Sequence, residues 1–435
     1  MQDPRHGSAV EPVSSASTIA HDRLTRGLVC LNTSIHPQNQ PKKAEFEAKS
    51  PQKAISKASH RQRHSFLLTA AAQHLFVQRF LSTTGIGQLA GLNLLAFLLG
   101  SFHHSLLSSH KGILRVLRIA LVVIVLSFWF AAFEPDLWGQ AFTRVCTGWA
   151  AGHMISGIPP LALAQSSSSQ RRKNSAMVLA GGGAGALIGA CSIGIFAPSS
   201  PQMAWVVLAI CATALAFPVF WLLRSSIHEQ LASAQSISTD ISMKTPEISI
   251  GQRWRVAALL IGGGLLLGAG QVPVTLYTPM VVSQRLGLDP SVSSESLAVL
   301  GLGSSIGALV AATFPRRWAT ASLLPLASII GLIGSLLFSF SDHLSTVLLA
   351  TFLIGIWMWV TLSLTYDRLG ELVTSPGLNR RLWALMATTA GLGYATFSFS
   401  FSNLASSNLN AVLFIGVFVI AFQLLMEIMQ GRSVQ

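Results

Sequence analysis

The chain has 435 residues, 51% hydrophobic and only 10% charged, with a net charge of +13 and a positive mean hydropathy. Soluble domains carry about 25% charged residues, so a water-soluble enzyme is excluded, and so is a nucleic-acid-binding module, because no compact soluble basic unit presents the charge. Four cysteines without a CxxC spacing exclude a disulfide framework and a thiolate metal site.

Residues 1–64 are rich in Ser, Pro, Gln, His and Lys and show no sustained apolar period. Such a segment cannot bury enough surface to offset its ordering entropy, which predicts a disordered polar tail. It lacks the apolar core and small-residue cleavage site of a secretory signal. Asp3, Glu11 and Asp22 make it a poor transit peptide. The stretch 66–83 is apolar but interrupted by Gln73, His74, Gln78 and Arg79, with His74, Gln78 and Ser82 on one helical face. Two readings stand: a short, worn membrane helix, or an amphipathic helix lying at the interface.

Eleven apolar stretches follow, each close to the roughly 20 residues that cross a bilayer: 85–107, 113–133, 138–163, 175–197, 203–224, 256–282, 294–314, 319–340, 345–366, 380–402 and 409–430. Alternate loops hold sixteen Lys and Arg, and the other set holds only Arg285. Basic loops stay on the cytoplasmic side, which places the C-terminus and the 225–255 loop there. Trp138, Trp205, Trp221, Trp254, Trp318 and Trp383 fall at span ends, where indole favours the headgroup layer. Cys146, Cys191 and Cys211 lie inside spans as small apolar groups, and Cys30 lies in the tail.

Few polar residues inside the spans can carry chemistry. Arg144 is the only basic residue well inside a clear span. An intramembrane cation is a substrate-binding or coupling candidate, against the alternative of snorkelling to the headgroups. Gln271 and Tyr277 interrupt the 256–282 span beside Pro273 and Pro279, and could bind substrate or hydrogen-bond between helices. Trp357 and Trp359 lie mid-span two residues apart, so at most one faces a cavity; Trp357 is taken as the candidate. Gly148, Gly152, Gly183 and Gly185 read as helix-packing positions. His153 is expected to be a packed histidine on the far side of its helix from Arg144. No Asp or Glu lies mid-span: Glu427 is near the end of the last span and Asp367 is at a boundary. No H-E-x-x-H, phosphate loop or usable G-x-S-x-G triad is present, so no enzyme, cofactor or metal is expected.

The chain repeats itself. LAGLNLLAFLLG, ending at Gly100, resembles LAVLGLGSSIGA around Gly307; AGGGAGALIG, with Gly183 and Gly185, resembles TTAGLGYATF, with Gly391 and Gly393; Gly148 falls opposite Gly355. The offset is 207 or 208 each time, and the threading is the same. This is the parallel repeat of two six-helix halves. The span at 256–282 should then correspond to about 49–75, which holds lysines and arginines instead of an apolar helix.

The order of parts resembles the major facilitator superfamily over roughly 80–430 and, more narrowly, the YbfB/YjiJ family of bacterial transporters. The segments that carry it are LAGLNLLAFLLGS, FTRVCTGWAAGHM, VLAGGGAGALIGA, LLLGAGQVPVTLYTPMV and LATFLIGIWMWV. The resemblance implies an all-α, polytopic membrane helix bundle of two six-helix halves with a degenerate or missing first helix. The expected division is a tail (1–64), a first bundle (65–225), a cytoplasmic linker (226–252) and a second bundle (253–431). It implies a secondary-active, alternating-access carrier in the bacterial inner membrane, with slots one, four, seven and ten lining the cavity. Its partners would be a small-molecule substrate, with protons one candidate for coupling, and the lipid bilayer; no nucleic acid is expected, and the chain would be monomeric. A lining of apolar and aromatic residues with one cation favours an amphipathic or anionic organic solute over a sugar, and efflux is the direction expected. Departures are present: the loop GSFHHSLLSSHKGILRVLR lacks the superfamily's acid, and AGGGAGALIGA lacks the antiporter proline. They keep a second reading open, a non-transporting relative without a functional first helix.

Overall fold

The computed structural model describes residues 83–133, 137–163, 170–196, 200–225, 250–289, 292–315, 318–373 and 375–432. The tail, nearly all of 66–83, the first-slot question and most of the 226–252 linker lie outside them.

Among the described residues the chain is helical, without strands. The helices are α1 (Thr83–Leu106), α2 (His110–Phe133), α3 (Leu137–Leu163), α4 (Arg171–Phe196), α5 (Pro201–Ser225) and α6 (Ile250–Gly270). They continue with α7 (Val272–Met280), α8 (Ser293–Thr313), α9 (Thr320–Ser339), α10 (Leu344–Leu372), α11 (Pro376–Ser407) and α12 (Leu409–Arg432). Gln271 interrupts the rod that α6 and α7 would otherwise form, and α7 runs into a π-helical turn at Val281–Arg285. Nine of the rods are long and apolar enough to cross a membrane. The long helices outside that set are α3, which carries Gln140, Arg144 and His153, and α11, rich in Ser, Thr and Asn. Leu99, Phe133, Ile195, Phe217 and Phe418 are exposed outward, the apolar surface a bilayer covers.

The repeat offset governs packing. Helix α3 packs on α1 and α2, and α10 packs on α8 and α9. Gly148 sits on the backbone of Asn93 and on Ala96, and Gly355 on the backbone of Leu300 and Gly303. Gly355, Leu300 and Gly303 each lie 207 positions after their counterparts. Contacts between the first five helices and the rest are crosswise: α4 packs on α8, and α1 on α11. A Cβ at Gly183 would come within 2.6 Å of the Ser304 carbonyl carbon, and one at Gly391 within 2.7 Å of the Phe97 ring. Gly391 follows Gly183 by 208 positions and Ser304 follows Phe97 by 207, so each contact is the mirror of the other. Gly152 likewise faces α1, where a Cβ would lie 2.6 Å from the Ser101 nitrogen, and Gly185 is buried in α4. Gly148→Leu should therefore force α1 and α3 apart, at a cost near the top of the roughly 1–3 kcal/mol typical of overpacking, read as lost monodisperse protein in detergent; full yield and an unchanged melting temperature would contradict the close approach.

Two tryptophans depart from the expected headgroup position. Trp138, Trp221, Trp254 and Trp318 are exposed, but Trp205 and Trp383 are buried. Trp383 donates its indole N–H to the Ile155 carbonyl at 2.9 Å, and its ring meets Tyr366 edge-on. A buried indole needs an acceptor, and the inward-facing carbonyl of α3 provides one.

Candidate functional site

Five helical rods converge on a central cavity of about 140 Å³. Helix α1 brings Asn93 and Phe97, α3 brings Arg144, the α6–α7 break brings Gln271, α10 brings Met358 and Trp359, and α11 brings Tyr394. The remaining lining is aliphatic.

The geometry follows from close helix approach. With Gly148 against α1, the Asn93 amide reaches the neighbouring turn of α3 and donates to the Arg144 carbonyl at 2.9 Å and to Thr147 Oγ1 at 3.2 Å. This fixes the turn from which the Arg144 side chain leaves. Across the cavity, Gly268 of α6 lies against the Ala390 carbonyl of α11 and Gly393 against the Leu265 carbonyl. The Tyr394 hydroxyl and Thr275 Oγ1 are 2.7 Å apart, and Thr275 Oγ1 also donates to the Gln271 carbonyl at 2.9 Å. The same carbonyl accepts the Thr275 backbone N–H at 3.0 Å, so the first turn after the break is tied twice at Gln271.

Arg144 is 2% exposed. Its Nε and Nη2 make no hydrogen bond among the described residues. The ion pairs in that set are Arg172–Asp367 and Arg368–Glu371, so no carboxylate there answers this guanidinium. Tyr394 lies within its electrostatic reach. A guanidinium is always charged, and a buried charge without a partner costs several kcal/mol. A cation, two amides and a phenol thus share a mainly apolar wall, a set of groups chemically able to hold an anion.

Of the other candidate positions, Tyr277 does not line the cavity: it is buried behind the wall, in an apolar cluster with Leu276, Met280 and the lining residues Ala90 and Tyr394. Trp357 is buried against Gly331 and Gly270; Trp359, two residues on, faces the cavity. His153 is buried against His104, with Nδ1 atoms 3.4 Å apart, and its ring stands edge-on to Trp149. Asn93 and Tyr394 are cavity residues that sequence reasoning passed over. The signal for Tyr394 was a mid-span phenol, one of only three tyrosines in the chain.

Hydrogen bonds tie the helices together on one side of the cavity. The Ser101, Ser156 and Thr388 hydroxyls form a chain at 2.6 and 2.9 Å. Beyond them Arg380 donates to the Leu107 carbonyl at 2.9 Å, and Arg172 binds Asp367 at 2.7 Å, Thr320 at 2.9 Å and the Pro315 carbonyl at 3.4 Å. Arg171 stacks over the Tyr366 ring at 5.6 Å. Arg380 follows Arg172, and Pro315 follows Leu107, by 208 positions. The two arginines are therefore a reciprocal clasp, each reaching the opposite half of the repeat; only Arg172 adds an acid.

The family model for the Major Facilitator Superfamily matches residues 64–398. The crystal structure of the human organic anion transporter MFSD10 (TETRAN) is similar, with a TM-score of 0.64 and 14% identity over 87% of this chain and 100% of that one. At that identity the likeness is one of fold. No curated protein matches the sequence. The family match spans most of the chain, and the crosswise packing of α1 on α11 and α4 on α8 accompanies it: this chain belongs to the major facilitator superfamily, and is a membrane transporter.

Proposed function

We propose that the chain carries a small amphipathic organic anion by alternating access, through the cavity that Arg144 dominates. The observation that carries this reading is the buried guanidinium, unanswered among the described residues, in a mainly apolar and aromatic wall. Trp359, Phe97 and Met358 suit an apolar body; Arg144, Gln271 and Tyr394 suit its charged end. The human relative's name refers to organic anions, but the anion reading here rests on Arg144. The quoted segments favour the YbfB/YjiJ group and a bacterial inner membrane, and the basic loops favour a cytoplasmic C-terminus. Export is the direction we assign, because a membrane potential negative inside drives an anion outward by about 2.3 kcal/mol per charge at 100 mV.

The test is counterflow in proteoliposomes with an aromatic carboxylate and its carboxamide of the same shape. The carboxylate should exchange at least ~10-fold faster, the least that losing about 1.4 kcal/mol of charge recognition predicts. Equal rates would remove the anion from the proposal. No movement of a broad panel of solutes would favour the non-transporting relative.

A further inference from the structure

A second, smaller pocket adjoins the solute cavity at Leu267, and the polar part of its lining is one-sided. Glu427 of α12 is 4% exposed. One of its carboxyl oxygens accepts from the Gln423 amide at 2.9 Å. The Ser328 hydroxyl of α9 lies near the carboxyl, yet the other oxygen, Oε2, has no hydrogen-bond partner among the described residues, and neither do the side-chain oxygens of Gln430, Gln423 and Thr361. Glu427, Gln430, Thr361 and Thr365 line a pocket of about 10 Å³ with Gly263 and Gly264 of α6, space for one water-sized occupant. A Cβ at Gly263 would meet nothing within 4 Å.

The oxygens that face this space are acceptors or hydroxyls, and no basic side chain among the described residues lines it; the charged groups of α10, which brings Thr361 and Thr365, are Asp367, Arg368 and Glu371, and they pair with Arg172 and with each other. Helices α6, α7, α9 and α11 pack on α12. Their charged groups are Arg253 and Arg255 on α6 and Arg380 and Arg381 on α11; Arg432 is on α12 itself, and Arg285, in the turn after α7, binds the Ser339 carbonyl and Asn410. None of them forms an ion pair with Glu427. A bare carboxylate inside a membrane bundle is prohibitively costly, so this group needs a positive partner small enough for the pocket. Hard oxygen ligands select small, hard cations.

We propose that Glu427, with Thr361, Thr365 and Gln430, forms a binding site for a monovalent cation, a proton or sodium, separate from the solute cavity. Leu267 lines both spaces. Occupancy of the small pocket thus has a one-residue route to the wall of the large one, through α6 and next to the break at Gln271. The proposal does not depend on the solute being an anion.

The test uses the full chain in lipid nanodiscs and needs no transport. In the proton arm, infrared difference spectra across a pH titration should show the carbonyl stretch of a protonated carboxyl at neutral pH. Glu427→Gln should abolish that band and Glu427→Asp should move it. In the sodium arm, the melting temperature at fixed pH should rise when sodium replaces choline, as linkage to a bound ion requires. Glu427→Gln should remove the rise and Thr361→Val, which keeps the carboxyl, should shrink it. Either arm succeeding supports the site and identifies its occupant. Should Glu427→Gln fail to fold, the Glu427→Asp band shift and the Thr361→Val response decide. The absence of both signals in the native chain overturns the proposal, as does their survival unchanged in these variants.

Discussion

Arg144→Gln should abolish concentrative anion transport and, at the same time, leave the protein as stable or more stable. The two halves of that result come from one cause. Truncating one side of a buried, hydrogen-bonded charge pair costs about 2–5 kcal/mol, so anion affinity should fall at least about 30-fold. In the absence of solute, however, the guanidinium is a desolvated charge without a carboxylate among the described residues, and removing such a charge relieves strain. Counterflow of the aromatic carboxylate, paired with a melting curve in the same lipid, reads both quantities. Arg144→Lys should retain part of the transport, since it keeps the charge and loses the planar fork. A variant that transports normally, or one in which melting temperature and transport fall together, would make Arg144 a structural residue.

Asp367→Asn should loosen the basic side of the bundle. Arg172 and Asp367 are about 10% exposed, and their 2.7 Å contact is the charged member of the reciprocal clasp. Breaking a buried pair by neutralising one partner leaves the other uncompensated, at a cost of about 3–5 kcal/mol. That loss falls on the closed arrangement and not on one in which Arg172 reaches water, so the population shifts toward opening on that side. Ser156, buried between the clasp and the cavity, is the reporter. With the native cysteines replaced, Ser156→Cys should react at least ~10-fold faster with a membrane-impermeant thiol reagent applied from the basic side, corresponding to about 1.4 kcal/mol of shift. Asp367→Glu should restore slow labelling. Unchanged reactivity would mean that Arg380, Trp383 and the Ser101–Thr388 chain hold this side closed without the ion pair.

How much of this was legible depended on what distance along the chain reports. Span length and loop charge are local quantities, so the helical rods could be read directly. The 207–208 offset could be read because close helix approach demands small residues: Gly148 and Gly355 are glycines since backbones stand against them. The guanidinium of the cavity was visible as the one cation well inside a span. Facing was harder. Trp357 and Trp359 differ by about 200° around α10, and only the packing of Gly331 and Gly270 on Trp357 decides which one is left for the cavity. Asn93 and Tyr394 look in sequence like the many polar residues that stitch membrane helices together. Glu427 was placed by its nearness to the end of α12; what makes it exceptional is burial, which depends on α6 and its glycines meeting α12 there.

The polar character of α3 and α11 also bears on how the protein is made. An arginine at a helix centre disfavours insertion by about 2.5–3.5 kcal/mol at the translocon; Arg144, in the first third of α3, carries part of that cost, and α11 carries Asn, Ser and Thr along its length. These two helices, which hold Arg144 and Tyr394, are the ones least able to partition into lipid alone. Their entry therefore leans on neighbours already in place: α1 and α2 precede α3, and α6 and α1 precede α11. The residues that suit this chain to its solute thus impose an order on its biogenesis, and chains from which α1 and α2, or α6, have been deleted should expose that order as incomplete integration of α3 or α11.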